Sequence, residues 1–448
     1  MQFLSRPAAL CAAAASLLIL GLPTVTPRQA LAENASAPGV PKAGAARVFD
    51  EARVICERDH GRLWGHSLCG PILLVDPSSR AVVANHADAD GVLTRDGAVF
   101  TGVLPVSVNV SNSPTRWSGL YWTQMLWPLP GSDAVHHVMI AHELFHRIQP
   151  DLGMIREDGD NAHLDTLEGR YLLQLEWRAL SRALQADRPG ARRRAAEDAL
   201  AFRAERYRLF PGAAGNERGL ELNEGVAEYT GVRLGLTDPK AQTAYAVGDL
   251  VNHVGDATFV RSFAYATGPA YGLLLDRYAP GWRGRVKAAP GLDLMLRAAL
   301  PAAPGGSKLG LDARAAAYDA ASLRAGEVAR DRQRQAMLAS LRARFVDGPL
   351  LHIPMRKTNY EFNPTKLQPL GDHGVAYPHI RASGPFGVLE ANNGALLSKD
   401  SADLVVSTAG ADLTALKGDG WTLTLQPGWT LKPGGRSGDF VLTPPAGP

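Results

Sequence analysis

His142 and His146 stand four residues apart, with Glu143 directly after the first, in the run Val135-His136-His137-Val138-Met139-Ile140-Ala141-His142-Glu143-Leu144-Phe145-His146-Arg147-Ile148. On a helix, positions i and i+4 lie on one face about 5–6 Å apart at Cβ. Two imidazoles so placed can converge on one metal ion, and the glutamate between them can act as a base on a water molecule there. The bland alternative is a pair of core histidines that share a helix face. Val135, Val138, Met139, Leu144, Phe145 and Ile148 supply the apolar surface of a buried helix. Ser132 or Asp133 can cap its start, and Pro150 stops it after Gln149.

A metal held by two histidines needs a third protein ligand. Glu224 and Glu228, again four apart, lie in Leu220-Glu221-Leu222-Asn223-Glu224-Gly225-Val226-Ala227-Glu228-Tyr229. One carboxylate can bind metal while the other accepts a hydrogen bond from the far nitrogen of a ligand histidine. This stretch, after H-E-x-x-H, resembles the N-E-x-x-A signature of the gluzincin zinc metallopeptidases, the thermolysin- and aminopeptidase-like group. Tyr265-Ala266-Thr267-Gly268 is similar to the Y-x-x-G segment that follows in the aminopeptidase-like members.

The resemblance covers roughly residues 70–280 and implies one Zn2+ ion held by His142, His146 and Glu224. It implies Glu143 as general base, Glu228 behind a ligand histidine, and Tyr265 as a donor to the oxyanion, with Tyr271 as the fallback. The implied reaction is hydrolysis of a peptide or protein substrate. The chain departs from the family pattern in the long gap between His146 and Glu224. Glu168 stands at a more usual spacing but lacks the Asn-Glu-Gly context. A G-x-M-E-N segment, with which aminopeptidases grip a free N-terminus, is absent, so endo- and exopeptidase modes both stay open.

The elements that must position these groups read as an α+β fold. A zincin-like catalytic domain, a small sheet followed by helices, is expected over residues 33–345, with a helical insertion at about 160–210. A β-rich module is expected over residues 348–448. Strands are predicted at Ile72–Val75, Ala81–Ala84, Val99–Val110 and Leu120–Leu126, the last near Trp117, Tyr121, Trp122 and Trp127, which either pack the core or line a cleft. Helices are predicted at Arg47–Arg58, Leu164–Leu184, Arg192–Leu209, Glu221–Leu236, Phe259–Tyr278 and Ala320–Phe345. Pro211–Asn216 reads as a turn, Pro301–Gly310 as a loop, and Arg192-Arg193-Arg194 as a solvated helix face.

A net charge of +3 on 448 residues gives no support for nucleic-acid binding or strong attraction to a membrane surface. Arg6, the apolar run Ala8–Leu22 and Ala30-Leu31-Ala32 make residues 1–32 a signal peptide by pattern. The expected protein is therefore exported, periplasmic or secreted after cleavage near Ala32, with no stable membrane anchor. Cys56 and Cys69 are then expected to oxidise to a disulfide. Two rivals remain: a catalytically inactive, zincin-like binding or scaffold protein of the cell envelope, and a chain whose main role lies in a carbohydrate- or cell-wall-binding β module.

Overall fold

A computed structural model describes residues 39–154, 159–288, 290–301, 309–362 and 367–445. The expected signal peptide, residues 1–32, lies outside the described residues, as does most of the Pro301–Gly310 loop. Among the described residues no helix is long and apolar enough to cross a membrane.

The fold is α+β. Helix α1 (Lys42–Asp59) buries Ala45, Val48, Ala52 and Ile55 at helical spacing. Six strands follow: β1 (Ile72–Val75), β2 (Ala81–Ala84), β3 (Thr94–Asp96), β4 (Val99–Val103), β5 (Ser113–Trp117) and β6 (Leu120–Leu126). They form one sheet in the order β3-β4-β2-β1-β6-β5, in which only β1 and β6 are parallel. The unbroken apolar run of β1 reflects burial on both faces. Ile72 and Leu74 face the helices with Val83 and Met125, whereas Leu73 and Val75 face a second core with Val82, Ala84 and Trp122.

Helix α2 (Asp133–Ile148) lies against β6 and β5 and carries both histidines. Next come α3 (Leu167–Gln185) and α4 (Pro189–Leu209), packed along each other as a helical hairpin. Then α5 (Ala213–Leu220) runs through one wide, π-helical turn (Glu221–Gly225) into α6 (Val226–Gly235). Helices α7 (Pro239–Asn252), α8 (Ser262–Tyr278), α9 (Leu292–Ala299), α10 (Leu311–Ala315) and α11 (Ala320–Arg342) complete the helical part.

From Leu350 onward the described regular elements are short strands joined by turns, apart from one 3-10 turn at Gly371–His373, and they form a seven-stranded and a five-stranded antiparallel-rich sheet. Leu351, Ile353, Leu404 and Val406 of the first sheet share a core with Leu389, Trp421 and Leu423 of the second. Trp421 ties the two by donating its indole N–H to the Ser407 carbonyl at 2.8 Å.

Several elements differ from their sequence reading. The Val99 strand ends at Val103, and Ser113–Trp117 is a strand although Pro114 interrupts it. Proline cannot donate to a ladder and is tolerated because β5 is the sheet edge. The expected turn at Pro211–Asn216 gives way to helix from Ala213 onward. Helix α7 went unread because it buries only Gln242, Ala246 and Leu250; its start was signalled by Asp238, which caps Lys240 N at 3.1 Å, and by Pro239. The arginine run is not uniformly solvated: Arg192 is buried and donates to the Ala186 and Asp187 carbonyls.

The α3–α4 hairpin is fastened to the chain before Glu224 by a buried ion network. Arg203 donates to Glu176 at 2.7 Å and bidentately to Glu221 at 2.8 and 2.9 Å. Arg206 grips Glu217 at 2.6 and 2.7 Å and pairs with Glu176 at 2.8 Å. Glu217 is buried, but Arg206 and His163 hold its carboxyl down at about 2. Such charges survive burial only while every partner stays in place. Arg203→Met should therefore cost about 3–5 kcal/mol in urea unfolding, because Glu221 would be left buried without its cation while Glu176 keeps only Arg206. Arg208→Met, at an exposed pair with Glu205, should leave the urea midpoint essentially unchanged.

Candidate metal centre

Helix α2 starts at Ser132, which is extended at the N-cap, and its next turns bury Val138, Ile140, Ala141, Leu144, Phe145 and Ile148. The stripe is wide enough that His142 and Glu143 are buried with it. Helix α6 crosses α2 at very short range because Gly231 and Gly235 carry no side chain. A Cβ on Gly231 would stand 2.6 Å from the Val138 carbonyl oxygen, and one on Gly235 2.6 Å from the His137 carbonyl carbon. Helix α8 comes as close to the wide turn: a Cβ on Gly268 would meet the Gly225 carbonyl oxygen at 2.1 Å.

These approaches bring His142, His146 and Glu224 together, all buried. His142 Nε2 and His146 Nε2 are 2.9 Å apart, and Glu224 Oε2 lies 3.5 Å from the first and 3.3 Å from the second. The outer nitrogens are occupied: His142 Nδ1 is 2.7 Å from Glu228 Oε2, and His146 Nδ1 is 2.7 Å from Gln149 Oε1. Partners that only accept assign the N–H to Nδ1 in both rings, so the Nε2 lone pairs face each other and a carboxylate oxygen. Three electron-rich atoms in that arrangement are suited to sharing a cation placed among them. A tetrahedral ion with bonds of about 2.0–2.2 Å sets ligand–ligand edges of roughly 3.3–3.6 Å. Two of the three edges already fit, and the third needs a shift of a few tenths of an ångström. The residues therefore fit a metal ion of this kind.

The electrostatics agree. Burial works against a charge on His142, but Glu224 and Glu228 outweigh it and push its pKa up to about 10. Burial likewise disfavours the Glu224 carboxylate, yet the two histidines hold it far below the usual range. Glu143 sits beside the cluster with its pKa raised, chiefly by burial, and its Oε2 has no hydrogen-bond partner among the described residues. Tyr265 lies parallel to the His142 ring at 5.6 Å and donates its hydroxyl to Glu224 Oε2 at 2.8 Å. Burial and the neighbouring Glu224 keep that hydroxyl protonated.

Other residues weighed from the sequence lie elsewhere. Glu168 is half-exposed on α3 and bound bidentately by Arg324 at 2.6 Å. Tyr271 is no substitute for Tyr265, since it is fully buried and donates to Glu176 in the ion network. His136 approaches the Leu129 carbonyl at 3.2 Å. Trp122 is core, whereas Tyr121 lines the cleft. Cys56 and Cys69 are disulfide-bonded, which anchors the segment whose Leu68 and Cys69 carbonyls accept from Arg147, the neighbour of His146.

Sequence reasoning missed Gln149, although it follows His146 by one helical turn. Its amide nitrogen also donates to the Asn223 carbonyl at 2.8 Å, so one side chain ties a histidine on α2 to the turn bearing Glu224. Arg261 and, on α7, Tyr245 and Asp249 were missed too. The cluster opens into a cleft of about 580 Å³ bounded by Asn112, Ser113 and Pro114 on the β5 side, Val135 and Met139 on α2, and Tyr245, Arg261 and Tyr265 opposite. Comparison of the chain with family models, curated proteins and solved structures finds no match.

Gln149→Leu should weaken metal binding by roughly 10–100-fold in competition with a chelator, because the His146 ring loses its orienting acceptor. On α7, burial and then the neighbouring Glu228 push the Asp249 carboxyl up to about 8. The unfolded chain releases this proton at about pH 4. The stabilising contribution of the protonated carboxyl is thus complete below about pH 4 and is lost as pH rises toward 8. Asp249→Asn should therefore unfold at higher urea than wild type at pH 9, with the advantage shrinking at pH 5.

Proposed function

We propose that this chain is an exported zinc-dependent peptidase. Its catalytic unit, residues 33–345, would be a gluzincin-like zincin fold into which the α3–α4 hairpin is inserted, followed by the β-rich module of residues 348–448. The observation that carries this reading is the convergence of His142 Nε2, His146 Nε2 and Glu224 Oε2 beside a buried Glu143 oxygen that has no partner among the described residues. An ordinary structural pair of histidines would have no use for a buried carboxylate facing both Nε2 atoms and a neighbouring one left unsatisfied. Export is supported by the Cys56–Cys69 disulfide, since such links persist in oxidising compartments.

Bound zinc would act as a Lewis acid, polarising a carbonyl and making a water molecule more acidic. Glu143 takes the proton of the attacking water and delivers it to the leaving amine nitrogen, which restores the carboxylate. Glu228 and Gln149 hold the two imidazoles in the tautomer that leaves both Nε2 atoms as electron donors. The Tyr265 hydroxyl, whose ring lies parallel to that of His142, would turn from Glu224 and donate to the oxygen that gains charge. An extended peptide can align with β5, which has no strand beyond it among the described residues and whose Ser113 and Pro114 line the cleft.

Metal analysis combined with cleavage of a peptide library tests the reading. Glu143→Gln should retain one zinc per chain and lose turnover by roughly 10²–10⁴-fold. Glu224→Ala should lose the metal, while Glu168→Ala keeps it. Stoichiometric zinc with no peptide cleaved under any condition would replace a peptidase by a zinc-containing binding or scaffold protein.

A further inference from the structure

The two oxygens of Glu224 have different partners. Oε2 faces both histidines and accepts from Tyr265, whereas Oε1 accepts from Arg261 Nη2 at 3.1 Å. Arg261 directly precedes α8, and Tyr265 lies one turn further on, so one helix start reaches both oxygens. The backbone of Glu224 is held from the other side, through Gln149 and the Asn223 carbonyl. Side-chain terminus and backbone are thereby restrained by separate elements.

We propose that Arg261 is the positioning residue of the third ligand: by holding Oε1 it presents Oε2 alone to the metal. This rests on the zinc reading above. A carboxylate beside a divalent ion can bind through one oxygen or through both. Binding through both would occupy the position that a catalytic site must leave open. A guanidinium stays charged at every working pH and offers directed donors, so Oε1 remains engaged away from the ion. The Arg261 side chain is 55% exposed, so its truncation leaves no buried hole, and an effect on the metal would not be an effect on the core.

The test uses the full chain and zinc itself. Zinc affinity is measured against a chromophoric chelator for wild type, Arg261→Gln and Arg261→Lys, together with the melting temperature of each without metal. Zinc-edge X-ray absorption of the loaded proteins reads how the carboxylate binds. Arg261→Gln should weaken zinc binding by about 10–100-fold and shift the carboxylate toward two-oxygen binding, with the metal-free melting temperature unchanged. Arg261→Lys should recover part of the affinity, since it keeps the charge but lacks the planar fork. Equal zinc affinity and the same spectrum in wild type and Arg261→Gln would overturn the proposal and leave the zinc reading standing. A loss of affinity that merely follows a fall in metal-free stability would also overturn it, by making Arg261 structural. Failure of wild type to bind zinc would remove the zinc reading, and the proposal with it.

Discussion

The close crossing of α2 and α6 is the constraint on which the centre depends. A carboxylate on one helix segment must reach two imidazoles on another, and glutamate is short enough that the backbones have to approach almost to contact. Gly231 and Gly235 make room on one side and Gly268 on the other, each where a methyl group would collide with backbone. The wide turn at Glu221–Gly225 then rotates Glu224 relative to an uninterrupted helix. Such turns are energetically poorer than α-helix and recur at functional sites, where they re-aim a side chain.

A poor helical turn next to buried charge needs support, and the α3–α4 hairpin supplies it. Glu221, the first residue of that turn, is locked by Arg203, while Glu217, one helical turn earlier, is locked by Arg206. The long stretch between His146 and Glu224 is thus a brace for the Glu224 turn as well as a connection. Tyr271 and Glu176 extend the same network to α8, the helix that also presents Tyr265. Hairpin, turn and α8 share one set of buried partners, so a break in the network should be felt at His142, His146 and Glu224.

What could be read from sequence was local. Two histidines and two glutamates at i and i+4 spacing declare a face of a helix, and the period of Leu167, Leu172, Leu175, Ala179 and Leu180 declares α3. The pairing of Glu224 rather than Glu168 with the histidines could be favoured on motif alone, and the structure brings Glu224 to them while Glu168 pairs with Arg324. What could not be read depended on tertiary approach. Arginines are ordinarily exposed, so nothing marked Arg203 and Arg206 as buried or Arg261 as a partner of Glu224. The strand β5 was hidden by its proline, and α7 by its thin apolar stripe. The role of Gln149 was hidden because a hydrogen bond to an imidazole leaves no periodic trace.

The central claim is that one ion sits among His142, His146 and Glu224. Anomalous diffraction from crystals of the zinc-loaded protein, recorded on both sides of the zinc edge, tests it most directly. The account predicts a single strong peak about 2.0–2.2 Å from His142 Nε2, His146 Nε2 and one oxygen of Glu224. A zinc peak elsewhere, or none at this cluster in protein shown to contain zinc, would contradict it.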